Sequence, residues 1–228
     1  MSNLQERYLE VKDAIKKSAA VAGNKPASIK LVVVTKAVDV QSVRQTIELG
    51  AKDFGENRVQ DFMEKYEIIE DKVDWHFIGY LQTNKVKYLV NKVKLIHSLD
   101  RISLAEEMNR LGKLHDYSFN CLVQVNVSGE NSKFGIEPRT AEQFLSDLSK
   151  FEHIKVKGLM TMAPFSVNPQ KSRYVFEGLR KIMEHLNELH ILEDNQGILS
   201  MGMSNDFRIA LEEGSNMVRI GSAIYGTD

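Results

Sequence analysis

The run Leu31-Val32-Val33-Val34-Thr35-Lys36 decides the fold of this chain. It is rich in β-branched residues, lies downstream of Pro26, and reads as a buried strand. The period then changes. Val40, Val43 and Ile47 recur at helical spacing, with Asp39 in an N-cap position and Gly50 as a stop. A second short strand at 51–55 completes a strand-helix-strand unit. Strands joined through a helix are expected to lie parallel in one sheet.

The same alternation extends outward from this unit. Upstream, Leu4, Tyr8, Val11, Ala14 and Ile15 mark a helix near 3–20. Downstream, strands are expected at 75–79, 93–97, 119–127, 155–160, 198–201 and 217–220. Helices are expected between them. One is polar, at 57–71. One carries Val86, Leu89, Val90 and Val93. One starts with Ser103 and Glu106 in capping-box spacing and buries Ile102, Ala105, Met108 and Leu111. Pro138 opens another, with Ala141, Phe144, Leu145 and Leu148 on one face. The last two lie at 169–189 and 205–213. Eight strands with intervening helices predict an α/β fold, a single TIM-type (β/α)8 barrel over 1–228. An open doubly wound sheet is the structural alternative. No long Pro/Gly/Ser linker or low-complexity tract divides the chain, which reads as one domain.

Composition narrows the class. A chain of 228 residues suits one barrel of near-minimal size, and 43% hydrophobic residues can fill its core. The formal net charge of −1 gives no global attraction to nucleic acid or membrane. The one dense basic stretch, Lys85, Lys87, Lys92 and Lys94, reads as a solvated helix face. Cys121 is the single cysteine, so an intrachain disulfide is excluded. Its apolar run, Cys121-Leu122-Val123, marks a buried structural thiol. The first residues lack the apolar core of a signal peptide, and no apolar run approaches the length of a membrane span. A cytoplasmic location is expected.

Active sites of β/α barrels form at the C-terminal ends of the strands. Those ends carry Lys36, Asn57, Gly79, His97-Ser98, Asn126, the Met160 to Met162 run, Met203-Ser204 and Gly221-Ser222. Lys36 follows four apolar residues, and an ammonium buried there is costly unless it is paired or loses its charge. A neutral lysine amine can attack an aldehyde and form an imine. A lysine that snorkels past the strand end into solvent is the bland alternative. At the last strand, Gly221 would let the backbone approach a phosphate, and Ser222 and Ser204 would add hydroxyl donors. An ordinary Gly/Ser turn is the alternative there. Arg219, between Val218 and Ile220, needs a partner, either a carboxylate or a ring nitrogen acceptor.

The motifs around these residues resemble one known family. They include Val34-Thr35-Lys36, Phe54-Gly55-Glu56-Asn57-Arg58-Val59-Gln60, Trp75-His76-Phe77-Ile78-Gly79-Tyr80-Leu81-Gln82-Thr83-Asn84-Lys85 and His97-Ser98-Leu99-Asp100. They continue through Val123-Gln124-Val125-Asn126-Val127-Ser128-Gly129-Glu130, Lys133-Phe134-Gly135 and Gly158-Leu159-Met160-Thr161-Met162-Ala163. The final stretches are Leu199-Ser200-Met201-Gly202-Met203-Ser204-Asn205-Asp206 and Met217-Val218-Arg219-Ile220-Gly221. The chain resembles the YggS/PROSC family of pyridoxal 5′-phosphate (PLP) homeostasis proteins, which look like the barrel domain of alanine racemase without its second domain. The resemblance implies that Lys36 holds PLP as an internal aldimine. It implies that Ser204, Gly221 and Ser222 surround the phosphate, that Arg219 faces the pyridine nitrogen, and that Asn57 is near the cofactor. Two positions depart from the family pattern. Tyr80 stands where histidine is expected, and Ala37-Val38 replace a Thr-Lys-Pro-like segment.

The expected function is intracellular PLP homeostasis, as a carrier or buffer with no robust catalysis, so no catalytic residue and no metal ligand is assigned. Arginine at the ring nitrogen disfavours a pyridinium and weakens the electron sink. Tyr80, His97 and Cys121 are conceivable second acid/base groups for the alternative, a weak PLP-dependent amino-acid racemase. A barrel aldolase using Lys36 without PLP is a third reading. The expected partners are PLP and PLP-dependent apoenzymes, and the expected state is a monomer.

Overall fold

Strand β1, Lys30–Val34, divides two apolar environments, because successive side chains on a strand face opposite ways. Val33 joins a large outer layer with Phe54, Trp75, Phe77, Ile96 and Val218, packed under the helices. Val32 joins a small inner cluster with Leu95, Leu122, Met160 and Met217. That inner cluster fills the lumen of a barrel. The computed structural model describes residues 3–23, 25–192 and 197–226.

The remaining strands are β2 Asp53–Glu56, β3 Asp74–Phe77, β4 Leu95–Leu99, β5 Phe119–Gln124, β6 Ile154–Met160, β7 Ile198–Ser200 and β8 Met217–Ile220. All pair in parallel in sequence order, and β1 pairs with both β2 and β8, which closes the barrel. The open-sheet alternative is thereby removed. The helices are α1 Asn3–Val21, α2 Val40–Glu48, α3 Val59–Ile69, α4 Ile102–His115, α5 Ala141–Leu148, α6 Arg173–Glu188, α7 Phe207–Glu212 and α8 Ser222–Tyr225. Helix α1 buries Leu4, Tyr8, Val11, Ile15 and Ala19 on one stripe and packs against α7 and α8. Asp39 caps α2 as expected, its carboxylate accepting from the Ser42 N–H at 2.9 Å. No helix among the described residues is long and apolar enough to cross a membrane.

Several boundaries differ from expectation. The link from β3 to β4 forms a 3₁₀ segment, Thr83–Tyr88, where an α-helix was expected. Val86 and Leu89 are still buried, but Asn91 adopts a left-handed φ of 58° and interrupts any longer helix. The lysines of this link are therefore not a helix face, and Lys85 and Lys87 lie over the Tyr88 ring. Ser103 and Glu106 do not form a capping box. Ser103 is inside α4, whose N-cap is Arg101, and the Arg101 guanidinium reaches Asp100 and the Leu81 carbonyl. The strand expected at 119–127 ends at Gln124, where Gln124 O and the Asn126 N–H exchange hydrogen bonds with Ile136. Pro138 opens a 3₁₀ turn, Pro138–Thr140, that leads into α5. A second 3₁₀ turn, Pro169–Ser172, precedes α6.

Candidate functional site

The candidate residues gather on the rim formed by β7, β8, β1 and β2, which are contiguous in the barrel. Lys36 lies two residues beyond β1. The Thr35 N–H is tied to the Gly55 carbonyl at 3.0 Å, and the Val38 N–H to the Thr35 carbonyl at 3.0 Å. These bonds put Lys36 and Ala37 at the centre of a tight turn, with Ala37 at φ 56°. The turn lifts Lys36 out of the strand line. Its side chain is exposed, as the alternative of a lysine running past the strand end into solvent had it, and not buried. Its amine has no hydrogen-bond or ion-pair partner among the described residues.

The base of this turn is held from below. Thr35 is fully buried, and its hydroxyl donates to Glu56 Oε1 at 2.6 Å. Lys65 reaches in from α3, donating to the Thr35 carbonyl at 2.7 Å and pairing with the Glu56 carboxylate. Glu56 is 0% exposed and Lys65 7%. A buried pair with this many hydrogen bonds holds its neighbours in one arrangement. Neither residue was a candidate from sequence, because Lys65 sits in a helix that reads as polar.

Asn57 is one residue past β2, beside the Lys36 turn. Its Oδ1 is buried and has no partner among the described residues. The chain at Gly79 crosses directly over Asn57, where a Cβ would lie 2.0 Å from the Asn57 carbonyl oxygen. On the other side, Gly221 packs against β1 so closely that a Cβ would fall 2.9 Å from Val34 O. Ser204 accepts the Ala223 N–H at 3.2 Å, which ties the loop after β7 to α8. That bond uses an acceptor lone pair and leaves the Ser204 proton available for donation. Ser222 is exposed at the start of α8. Asn126 does not join this group. Its side chain instead staples the following loop through Glu130 O, Lys133 O and the Ser128 hydroxyl.

Arg219 lies beneath the rim and is 3% exposed. Its partners are neutral: Nη1 donates to Ser200 Oγ at 2.6 Å and Nη2 to the Thr161 carbonyl at 2.9 Å. No carboxylate forms an ion pair with it among the described residues, although Asp206 lies near enough to favour its charge. Burial lowers its pKa to about 10. A guanidinium has five N–H groups, so others remain to meet an acceptor.

A polar chain continues from Ser200 through the lumen. Ser200 Oγ is 3.0 Å from His97 Nδ1, across the barrel from β7 to β4. His97 Nε2 is 2.9 Å from His76 Nδ1, and His76 Nε2 is 3.0 Å from Asp53 Oδ1. Lys30 Nζ also reaches Asp53 Oδ1, at 3.1 Å. Burial pulls the pKa of both histidines down, that of His97 well below the ordinary value. For Asp53, burial works upward, but the hydrogen bonds and charges of His76 and Lys30 outweigh it and hold the carboxyl below its usual range. Sequence reasoning found His97 and Arg219 and missed the links between them.

The other conceivable acid/base groups stand apart. Cys121 is fully buried in the outer layer, and burial pushes its thiol pKa up. Tyr80 is 42% exposed and stacks on Phe134, with Arg101 over its ring. Among the described residues, no group of three or more His, Cys, Asp or Glu is gathered as for a metal ion.

Among the described residues, a partnerless lysine amine, backbone brought close by two glycines and a buried guanidinium with spare donors fit a small anionic aldehyde with a ring acceptor. Residues 11–228 match the family model described as alanine racemase, N-terminal domain, which is the class this barrel and rim define. Within that class, the chain belongs to the pyridoxal phosphate homeostasis protein family. It is 42% identical to the pyridoxal phosphate homeostasis protein of Aquifex aeolicus over 227 residues, covering 98% of each chain. A crystal structure of an unknown protein from Bifidobacterium adolescentis superposes with a TM-score of 0.92 at 29% identity, covering 99% of this chain and 97% of the other. PipY of Synechococcus elongatus with PLP bound gives 0.79 at 28% identity, covering 93% of this chain and 100% of the other.

Proposed function

We propose that this protein binds PLP covalently through Lys36 and serves as a carrier that buffers PLP for apoenzymes, as a cytoplasmic monomer. The membership of the chain in the homeostasis family supports this reading. So does the rim. Bound PLP supplies an aldehyde for the Lys36 amine, with loss of water, and an electron sink whose strength depends on its ring nitrogen. Lys36 is exposed, so water and competing amines can reach its Nζ. That access suits uptake and release. Asn57 offers an acceptor, and Ser204, Ser222 and the backbone at Gly221 offer donors for a phosphate.

What supports a carrier over a racemase is the state of the conceivable second acid/base groups; an arginine at the ring nitrogen belongs to the racemase-like fold as well and does not by itself separate the two. A buried guanidinium, already bonded to Ser200 and Thr161, can donate to a ring nitrogen but does not readily give up a proton to it. A second acid/base opposite Lys36 is needed for racemisation. His97 has both ring nitrogens engaged, and Cys121 is sealed in the outer layer.

The test is an absorption spectrum of the protein with PLP, followed by borohydride reduction and peptide mass mapping. A yellow band and a reduced adduct confined to Lys36, both lost in Lys36→Ala, are expected. Adducts scattered over surface lysines would overturn the site. Steady α-proton exchange of amino acids in deuterium oxide, abolished by Lys36→Ala, would replace the carrier with the racemase.

A further inference from the structure

The lumen of a barrel is an unusual place for two adjacent imidazoles, and the proposed binding chemistry does not by itself call for them. Their hydrogen bonds nevertheless have a determined direction. Asp53 is the fixed end, because an ionised carboxylate only accepts. His76 Nε2, 3.0 Å from Asp53 Oδ1, must therefore carry a proton. A neutral His76 then has a bare Nδ1, so the 2.9 Å contact with His97 requires the proton on His97 Nε2. His97 Nδ1 is in turn bare, and the Ser200 hydroxyl must donate to it across 3.0 Å. Ser200 Oγ is left with its lone pairs for Arg219 Nη1 at 2.6 Å. Each link has one donor and one acceptor, and every donor points toward Asp53.

We propose that Asp53, His76, His97 and Ser200 act as positioning residues, forming a one-way hydrogen-bond chain that orients the Arg219 guanidinium from the opposite end of the barrel. The chain rises through the lumen. It starts at the first residue of β2, passes the third residues of β3 and β4, and ends at the last residue of β7 and the third of β8. Its lower end is not sealed. Asp53 and Lys30 line a cavity of about 720 Å³ at the N-terminal end of the strands, together with Tyr8, Lys12, Lys16 and Lys52. The charged groups facing the imidazoles are Lys30 on β1, Asp53 on β2, Asp74 on β3 and Arg219 on β8, and Asp206 acts on Arg219 from the loop before α7. A proton added to His97 would place N–H groups on both its nitrogens, turn its Nδ1 into a donor toward Ser200, and set a second cation near Arg219. The chain works only with both histidines neutral.

The consequence for the cofactor rests on the reading that Arg219 faces the ring nitrogen, so the test separates the two. The first arm uses cofactor-free, full-length, 15N-labelled protein and long-range proton–nitrogen NMR of the imidazoles. Both histidines are expected as neutral Nε2–H tautomers at pH 7.5. A Nδ1–H tautomer or an imidazolium at either residue overturns the chain. The second arm compares variants. Ser200→Ala removes the link to His97 and one acceptor of Arg219, which keeps the Thr161 carbonyl. Asp53→Ala removes the anchor, whereas Asp53→Asn keeps an acceptor oxygen. With PLP, Ser200→Ala and Asp53→Ala are expected to raise the dissociation constant about tenfold and to shift the pH midpoint of the absorption band, with Asp53→Asn restoring both toward wild type. Unchanged binding and an unchanged pH profile in both alanine variants would overturn the positioning role. Failure of the wild-type protein to load PLP on Lys36, with the tautomers as expected, would instead overturn the cofactor reading and leave the chain intact.

Discussion

Lys65 never reaches the rim, yet the backbone that presents Lys36 depends on it. Its ammonium joins the Thr35 carbonyl to the Glu56 carboxylate in a site with almost no solvent. Lys65→Met would keep the bulk and leave Glu56 charged, buried and without its cation. Breaking one partner of a buried pair costs about 3–5 kcal/mol. Urea denaturation of the cofactor-free variant is expected to show a loss of that size, while Lys65→Met,Glu56→Gln recovers part of it. Gly79 makes a second test. An added Cβ would meet the Asn57 carbonyl at 2.0 Å, and backbone cannot give way as a side chain can. Gly79→Ala is expected to displace Asn57 and weaken PLP binding by about tenfold or more, the cost of one lost hydrogen bond and added strain. A fluorescence titration checks it. At this scale the sequence showed Lys36 through its place after an apolar strand. It left burial and exposure of Lys36 open, and exposure follows from a turn with Ala37 at positive φ, a conformation no residue there advertises.

Most elements were legible where a period was. The β-branched run of β1, the Asp39 cap and the stripes of α1 and α6 all follow from spacing, and the strand order of the barrel follows from their alternation. The 3₁₀ link before β4 was not legible, since its apolar residues fit a helical stripe while the left-handed Asn91 ends it. The lumen chain was hidden for a different reason. Asp53, His76, His97, Ser200 and Arg219 are dispersed over 167 sequence positions, and only barrel closure carries β4 within hydrogen-bond distance of β7, with His97 and Ser200 103 positions apart. The signal available was weak: isolated polar residues inside otherwise apolar strands. Gly158 tests the element scale directly. It has φ 148°, and a Cβ there would lie 2.1 Å from Ile198 O on β7. Gly158→Ala is expected to force β6 from β7 and cost about 2 kcal/mol or more, given the strain of such backbone angles in an L-residue. Thermal and urea unfolding would measure it, and a loss under about 0.5 kcal/mol, the ordinary range of a neutral surface change, would show that the strands adjust.

Stability of the whole molecule should carry the mark of the two neutral histidines. In the unfolded chain each imidazole titrates near 6.5. In the folded barrel, burial lowers His76 and lowers His97 further. Above about pH 6.5 both states hold these rings neutral, and the histidines add no pH dependence. As the pH falls below that value, the unfolded chain gains protons that the folded barrel refuses, so folding stability drops. Each refused proton contributes up to about 1.4 kcal/mol per pH unit until its folded pKa is reached. The carboxyls act lower. Asp100 and Asp206 are raised by burial and oppose the loss, whereas Asp53 is lowered and adds to it as the pH approaches the carboxylate range. The window just below pH 6.5 therefore reports mainly on the imidazoles. Urea unfolding of the cofactor-free protein at pH 7.5, 6.5 and 5.5 is expected to show little change over the first step and a clear loss over the second. PLP must be absent, because a ligand bound only to the folded state would add its own stabilisation. His97→Gln removes one of the two titrating rings, and the loss between pH 6.5 and 5.5 should then shrink by roughly half. A wild-type profile that is flat across that window would mean that the barrel accepts the protons, and that the lumen chain does not need neutral histidines.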